Sequence, residues 1–525
     1  MSHAEAVEQS IWLQERPDRG EPLTGPLDVD VAIVGGGITG LTAAGLIASD
    51  GKRVAVLEAH AVGAGTSGAN SAHVSAVPDA GYRAVARRCG IASGREYVAR
   101  LNAALELMDS LVEAERIGCD WARVPAFWFS ERGDDLGRLR DEARAADELG
   151  QECHIVADVP LPWPVAGGLQ FPRQARFHPM RYLSGLARVA RARGAALYEA
   201  TPALAWKETA TGVTLHTPRA EVRAGALILA THTPIGFNIL QTELTPAQSY
   251  MLVLSLPDPL ADALFWDTAD PYHYLRPLAF DGQTLALVGG ADHKTGQERH
   301  PQSRYGQLTE YCRQHLPSAT VKGWWSAQLY DPADGMPYIG RSPFSRHVYV
   351  ATGFAGVGLV QGTMAAAELA ALLRGEGRDM PWKATRLSLA AAPRLLANGI
   401  DMAAHWVGDR VAPGEEQSVE GIGNGEGRIL RIDGHRRAVY RDESGRLHVL
   451  SPACTHLGCL VRWNQSARTW DCPCHGTRYA AAGEVLEGPA LKALVRIPSS
   501  EGDPDAGGPP ATPEADAQRF DTDKG

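Results

Sequence analysis

The chain has 525 residues, of which 44% are hydrophobic and 21% charged, a composition typical of a globular protein with roughly two to four domains. Its formal net charge of −10 argues against a nucleic-acid binder, which needs a basic face. The first 20 residues lack an apolar signal-peptide core, and polar residues interrupt the most apolar segment, 348–373. We therefore expect a cytoplasmic protein without a membrane span.

The first predicted element is a buried parallel strand at 28–34, an apolar run that ends in three consecutive glycines. A helix of small and apolar residues follows at 38–49, and a second apolar strand follows at 53–57. The three elements together predict a βαβ unit.

A dinucleotide-binding motif lies at the first turn of this unit. Gly35 allows a tight turn, Gly37 lets the backbone approach a pyrophosphate, and Gly40 lets helix and strand pack closely. Glu58 ends the second strand, where a carboxylate binds ribose hydroxyls. One such motif occurs in the chain, so the sequence predicts one bound dinucleotide and gives no sign of a second site for NAD(P)H.

Five segments resemble the D-amino-acid oxidase and glycine oxidase superfamily of FAD enzymes: VAIVGGGITGLTAAG at 31–45, VAVLEA at 54–59, GAGTSGANSA at 63–72, DGMPYIG at 334–340 and VYVATGFAGVGLVQG at 348–362. The resemblance implies FAD rather than NAD. In that family the loop at 63–72 contacts the flavin and the diphosphate, and the later Gly-rich turn faces the flavin pyrimidine. The implied FAD-binding residues are Gly35, Gly37, Ile38, Gly40, Glu58, Ala59, Thr66, Ser67, Gly353, Gly356 and Gly358.

The middle of the chain predicts a second, interleaved domain. Charged helical sequence runs through 97–149, and another amphipathic helix is predicted at 179–193. Alternating apolar and aromatic residues at 247–290 predict an antiparallel sheet. A short buried strand at 347–352 returns to the nucleotide domain, and short strands with turn signals at 421–497 predict a small all-β domain.

Four of the eight cysteines crowd between positions 454 and 474. Cys454 and His456 form one pair and Cys472 and His475 another, which is the ligand set of a Rieske 2Fe-2S cluster with two histidines on one iron. Two thiolates and two neutral imidazoles leave the oxidised site neutral, which raises its potential relative to an all-cysteine cluster. The same four residues could bind zinc, although zinc leaves the two additional cysteines without a role.

The flanking sequence resembles Rieske proteins of the respiratory cytochrome bc type. That resemblance implies a disulfide between Cys459 and Cys474 that joins the two ligand loops. It also implies that the hydroxyls of Thr477 and Tyr479 donate hydrogen bonds to a cluster sulfide and a ligand sulfur.

We thus expect an α/β FAD-binding domain of the Rossmann-like, glutathione-reductase type, interleaved with an α+β antiparallel-sheet substrate domain and followed by an all-β Rieske domain. The predicted boundaries are an N-terminal extension at 1–26, FAD-binding parts at about 27–85, 175–235 and 325–380, substrate-domain parts at about 86–174 and 236–324, a helical linker at 381–413, the Rieske domain at 414–498 and a disordered tail at 499–525.

As a whole the chain resembles bacterial FAD-dependent oxidoreductases with a C-terminal Rieske domain. The resemblance implies oxidation of a C–N bond of an amine or amino acid by hydride transfer to the flavin. The cluster would then pass electrons singly to an unknown external acceptor. An alternative is an electron-transfer or redox-sensing protein without an organic substrate. A Rieske oxygenase would need a 2-His-1-carboxylate iron site, for which no motif is evident.

The substrate-side candidates lie on the sheet predicted to cover the flavin. Tyr250, His273 and Arg276 are weak catalytic candidates, with Tyr272 and Tyr274 beside them, and each also fits a structural role. Arg276 could bind a carboxylate through two parallel hydrogen bonds.

Three further positions qualify the family resemblance. Leu329 stands where glycine-oxidase relatives place a carboxylate-binding arginine, which favours an amine or an acid held elsewhere. His73 does not fit the register of a covalent-flavin histidine, so we expect non-covalent FAD. The segment 292–294, Asp-His-Lys, has no assigned role and is compatible with a hydrogen-bonded turn.

Overall fold

The computed structural model describes residues 9–15, 20–280, 282–298, 300–386 and 419–498. Most of the predicted helical linker and the whole predicted tail lie outside the described residues. The strands of the first two sheets are β1 (Leu27–Val34), β2 (Val54–Leu57), β3 (His73–Val74), β4 (Ala122–Ser130), β5 (His154–Val156), β6 (Gly167–Arg176), β7 (Ala196–Tyr198), β8 (Ala205–Glu208), β9 (Val213–His216), β10 (Glu221–Leu229), β11 (Leu244–Ser255), β12 (Leu264–Asp267), β13 (His273–Phe280), β14 (Gln283–Lys294), β15 (Thr320–Pro332), β16 (Tyr338–Arg341) and β17 (Val348–Thr352).

The helices of this part are α1 (Ile38–Ser49), α2 (Tyr82–Ala114), α3 (Leu136–Glu148), α4 (Pro179–Ala192), α5 (Gln302–His315) and α6 (Gly358–Leu373). The C-terminal strands are β18 (Gly427–Ile432), β19 (His435–Arg441), β20 (Leu447–Leu450), β21 (Arg462–Asn464), β22 (Thr469–Asp471), β23 (Arg478–Ala480) and β24 (Val485–Glu487).

The nucleotide-domain sheet has the strand order β16-β17-β10-β1-β2-β7, with β8 and β9 attached to β10. The pairs from β17 to β7 are parallel. Nearly every residue of α1 is buried, because this helix packs between the sheet, α4 and α6. The small residues of its sequence allow that close packing, and the observed strands and helix match the predicted βαβ unit.

The substrate-domain sheet has the order β15-β11-β14-β13-β12-β4-β6-β3, with β5 paired to β6. Two predictions need correction here. The segment 97–149 is not helical throughout, because β4, rich in aromatic residues, separates α2 from α3. The sheet also extends beyond the predicted boundary at 324, because β15 continues to Pro332.

The C-terminal domain consists of a three-stranded sheet, β18-β19-β20, and a four-stranded sheet, β21-β22-β23-β24. Within the described residues, one helical stretch, Ala355–Leu373, is long and apolar enough to cross a membrane by length and composition. Its most apolar part is 56% buried inside the protein, as expected for a core helix.

Candidate functional site

A cavity of about 850 Å³ lies between the two large sheets and is closed on one side by the C-terminal domain. The β1–α1 turn, the loop at 63–71 and the start of α6 line its nucleotide end. Strands of the substrate-domain sheet line its other end, and residues 484–493 contribute from the C-terminal domain. All three predicted domains therefore meet at one space.

The nucleotide end carries the geometry that the motif predicts. The Glu58 carboxylate accepts hydrogen bonds from the backbone N–H groups of Gly36 and His60, at 2.7 and 2.8 Å. Burial raises the pKa of Glu58, as expected for a carboxylate that faces an enclosed space instead of bulk water. The Ile38 N–H at the start of α1 donates to Ser67 Oγ at 3.1 Å, so the flavin loop lies directly on the helix N-terminus.

Nine of the predicted FAD-binding residues line this cavity: Gly35, Gly37, Ile38, Glu58, Ala59, Thr66, Ser67, Gly356 and Gly358. Gly40 and Gly353 do not. A Cβ at Gly40 would collide with the carbonyl of Gly35, which is the helix–strand packing role expected of the third glycine. Gly353 has a φ of +75° and packs against Leu244 and Pro332, so it shapes the turn after β17.

Glycine is needed where a pyrophosphate would approach the backbone. A Cβ at Gly37 would lie 2.9 Å from Ser67 Oγ. The extended backbone at Gly37 leads directly into α1, and the N–H groups at the start of a helix favour an anion. Together with the Glu58 carboxylate, these groups fit the phosphates and ribose of a dinucleotide.

An aromatic wall, formed by Trp128, Trp266 and Tyr274, lines the opposite end of the cavity. The three residues lie on β4, β12 and β13 and are direct partners in the sheet register. Residues opposite one another on paired strands share a face, so the three rings form one row. Gly289 is the next partner in the row, and a Cβ there would collide with the Tyr274 ring. Glycine at this position therefore leaves room for the ring of Tyr274.

The weak catalytic candidates lie elsewhere, and none of the three lines the cavity. Side chains alternate between the two faces of a strand, and Tyr250 and His273 point toward α5. Tyr250 packs edge-on against Tyr305, with 4.8 Å between ring centroids, and His273 stacks on Tyr311 at 3.9 Å.

Arg276 is 2% exposed and is occupied by protein contacts. It donates a hydrogen bond to the carbonyl of Ala72 at 2.8 Å and lies over the Trp12 ring. With these contacts Arg276 has a structural role beside the flavin loop, and its guanidinium is not available to bind a substrate carboxylate. The two neighbouring tyrosines, Tyr272 and Tyr274, do line the cavity.

The structure also places Asp79 and His232 in the cavity, two residues that sequence reasoning missed. His73, which the sequence analysis considered only as a covalent-flavin histidine, lines the cavity too. Burial lowers the pKa of His73 to about 3 and that of His232 to about 4, so both imidazoles are neutral near pH 7. Asp79 comes shortly after β3 and has no recognisable local motif, so only its spatial position identifies it.

The predicted cluster ligands converge from two loops of the C-terminal domain, one between β20 and β21 and one between β22 and β23. The rings of His456 and His475 lie 4.9 Å apart and nearly perpendicular. His456 Nε2 and His475 Nδ1 are buried without a hydrogen-bond partner. Buried imidazole nitrogens that lack partners are what iron coordination would satisfy.

The cysteine ligands complete this set. A hydrogen bond with Cys472, followed by bonds from Tyr479 and Thr477, lowers the pKa of Cys454, which favours the thiolate that binds iron. The hydrogen bond with Cys454, together with burial, raises the pKa of Cys472. A cation bound between the two sulfurs would favour the thiolate form of both. Tyr479 Oη lies 3.1 Å from Cys454 Sγ, the contact that the resemblance implies.

Cys459 and Cys474 form the predicted disulfide. Both are buried, and their sulfurs lie close to that of Cys472. The bridge therefore joins the two ligand loops beside the cluster site. The two cysteines that a zinc site leaves unexplained thus have a structural role.

The cluster loops face the flavin domain. Gln328 on β15 is fully buried, and its Nε2 donates to Tyr330 Oη at 2.8 Å and to the Gly476 carbonyl at 2.9 Å. Tyr330 Oη in turn donates to the His475 carbonyl at 3.3 Å. On its other side, the backbone carbonyl of Gln328 accepts a hydrogen bond from the Thr66 hydroxyl of the flavin loop at 3.1 Å. One residue of the substrate sheet therefore contacts both cofactor loops.

Further contacts fix the same interface. Asn464 Nδ2 donates to Gln248 Oε1 at 3.2 Å, and the Gly236 N–H donates to the Pro489 carbonyl at 2.8 Å. A Cβ at Gly296 would lie 2.9 Å from the backbone of Pro473. The segment around 292–296, which had no assigned role, therefore packs on the second ligand loop.

The nucleotide end of the cavity and the two loops that carry the Cys2His2 ligand set define a flavin-dependent oxidoreductase with an attached Rieske domain. The chain belongs to the FAD dependent oxidoreductase family, whose model matches residues 30–372. The Rieske 2Fe-2S domain model matches residues 414–498. These matches confirm the predicted family and its two cofactors, FAD and the 2Fe-2S cluster.

The chain is 31% identical to YhfW of Bacillus subtilis (strain 168), which is named as a Rieske 2Fe-2S iron-sulfur protein, over 90% of this chain and 93% of that protein. The fold of this chain is similar to that of glycine oxidase from Geobacillus kaustophilus, with a TM-score of 0.58 and 19% identity. The match covers 69% of this chain and 99% of the glycine oxidase chain. L-proline dehydrogenase from P. horikoshii gives a TM-score of 0.56 at 16% identity, with coverage of 68% and 96%.

Proposed function

We propose that this oxidoreductase oxidises a C–N bond of an amine or amino acid at FAD and passes the electrons through the Rieske cluster to an external one-electron acceptor. Oxidation of an amine to an imine releases two electrons and two protons. A flavin accepts both electrons, whereas a 2Fe-2S cluster carries one at a time. Two successive single transfers to the acceptor therefore complete each turnover.

The observation that carries this proposal is the double contact of Gln328. Its carbonyl accepts from Thr66 of the flavin loop, and its side chain donates to Gly476, the neighbour of the ligand His475. The two cofactor loops are thus held against opposite sides of one buried residue. A Rieske domain docked for a different purpose would not need its ligand loops to face the flavin cavity.

The cavity itself favours an enzyme over the alternative of an electron-transfer or redox-sensing protein without a substrate. It extends past the nucleotide residues to the aromatic wall on the substrate sheet. A cavity that served FAD alone would not need such a wall. The names of the structurally similar glycine oxidase and L-proline dehydrogenase also support C–N chemistry.

Anaerobic stopped-flow mixing with a panel of amines and amino acids tests the proposal. A true substrate should bleach the flavin absorbance first and the cluster absorbance second. Bleaching of the cluster before the flavin would contradict the relay. Bleaching of the cluster by a reduced redox partner, with no response to any organic compound, would favour the alternative function.

Two predictions stay open for direct measurement. Non-covalent FAD predicts that acid precipitation releases all flavin into the supernatant. A cytoplasmic location predicts that the protein fractionates with other cytoplasmic enzymes.

A further inference from the structure

Asp79 is a carboxylate directed into the cavity. It lines the cavity and is exposed there, yet burial raises its pKa. The two observations agree if the exposed surface faces the enclosed cavity instead of bulk solvent. Its partner is the backbone N–H of Gly356 near the start of α6. A Cβ at Gly356 would lie 2.6 Å from Asp79 Oδ1, so the glycine is what lets the carboxylate approach.

An aromatic residue, Tyr272, lies beside this carboxylate. A Cβ at Gly356 would lie 3.4 Å from the Tyr272 hydroxyl, so Tyr272 and Asp79 flank the same turn. The Tyr272 and Tyr274 rings are 5.9 Å apart, and Tyr274 continues into the aromatic wall. An organic cation gains energy over aromatic faces of this kind.

A second acid lies behind these rings. The Asp292 carboxyl is hydrogen bonded by Ser249 and Tyr272, but its Oδ1 is buried without a hydrogen-bond partner. The Tyr272 hydroxyl is thus hydrogen bonded to Asp292, and Tyr272 itself lines the cavity beside Asp79. A cation bound at the aromatic end would favour the ionised form of both acids.

Little positive charge opposes these acids. Among the described residues that line the cavity, Arg138 is the one Lys or Arg side chain, and it donates to the Thr268 carbonyl at 2.9 Å. Leu329 occupies the position expected to hold an arginine, and the buried imidazoles of His73 and His232 are neutral. The aromatic end is therefore suited to a cation and poorly suited to an α-carboxylate.

We propose that Asp79 anchors an organic ammonium group between Tyr272 and Tyr274, and that the substrate is an amine without an α-carboxylate. This assignment rests on the C–N oxidation proposed above and narrows its substrate class. A carboxylate far from the reacting nitrogen could still reach Arg138.

Equilibrium binding to the flavin-loaded protein tests this site without turnover. Benzyltrimethylammonium and benzoate present the same ring with opposite charge, and the quaternary nitrogen has no lone pair to support oxidation. Each is titrated while the visible flavin spectrum is followed. The cation should bind at least tenfold more tightly than benzoate. Tighter binding of benzoate would overturn the proposal.

Asp79→Asn should weaken binding of the cation at least tenfold and leave the flavin-to-chain ratio and the cluster spectrum unchanged. The matched control is Asp134→Asn, which removes the same charge at an exposed position and should leave the affinity unchanged. Unaltered cation binding in Asp79→Asn would overturn the assignment, as would loss of flavin from that variant. Cation binding that depends on Asp79, without flavin reduction by any amine, would keep this site and refute only the proposed oxidation.

Discussion

Gln328→Leu tests whether the interface between the flavin domain and the Rieske domain carries electrons. Leucine has a similar volume but removes the two hydrogen bonds from Nε2 to Tyr330 Oη and to the Gly476 carbonyl. The loss leaves the buried Gly476 carbonyl with only the long contact from Tyr330 Oη, at 3.5 Å, which costs about 1–3 kcal/mol. Gln328 Oε1 already lacks a partner, so its removal offsets part of that cost.

A net loss of about 2 kcal/mol corresponds to about a 30-fold weaker docking equilibrium. We expect the flavin-to-cluster electron-transfer rate to fall by about 10- to 30-fold. The assay is anaerobic photoreduction of the flavin, which requires no substrate. The bleaching of the cluster absorbance that follows gives the rate of electron transfer. The rate of flavin photoreduction and the iron content should stay at wild-type values.

Gln307→Leu on the exposed face of α5 is the matched control, because the same chemical change there touches no interface. The control should transfer electrons at the wild-type rate. A Gln328→Leu rate within twofold of the wild type would refute the reasoning that this contact positions the cluster for reduction.

Three further predictions concern the aromatic wall, the disulfide and a buried acid. Gly289→Ala should lower the Tm by several degrees, because overpacking against Tyr274 costs about 1–3 kcal/mol; an unchanged melting curve would show that the ring has room to move. Cys459→Ser should reduce the cluster content seen by EPR, because opening a loop with a sequence separation of 15 costs about 3 kcal/mol, whereas Cys89→Ser should not. Burial raises the pKa of Asp292 from 3.8 to about 7, so the folded chain binds a proton that the unfolded chain has lost, and this contribution to stability declines as the pH rises from about 4 to 7. Asp292→Asn should therefore raise the Tm at pH 8 and change it little at pH 4, and an equal effect at both values would argue against a raised pKa.

Both cofactor sites could be predicted from the sequence because their residues are close together along the chain. Gly35, Gly37 and Glu58 lie within one βαβ unit, and all four cluster ligands lie between positions 454 and 475. Local spacing fixes such geometry, since a turn followed by a helix presents its N–H groups in only one way.

The substrate end could not be predicted in the same way, because its geometry depends on pairing between distant strands. Trp128, Trp266 and Tyr274 come together only through the register of β4, β12 and β13. A shift of one residue in that register would exchange the two faces of a strand. The choice of Tyr250 and His273 identified the correct sheet but the wrong face.

The segment 289–296, at the end of β14, lies between the aromatic end of the cavity and the second ligand loop. Gly289 leaves space for the Tyr274 ring, Asp292 is hydrogen bonded by Tyr272, and Gly296 packs on Pro473 of the second ligand loop. A single strand end therefore contacts both the aromatic end of the cavity and the cluster loop. The glycines of this segment therefore have a physical reason: Gly289 leaves space for the Tyr274 ring, and Gly296 lets the second ligand loop approach the backbone.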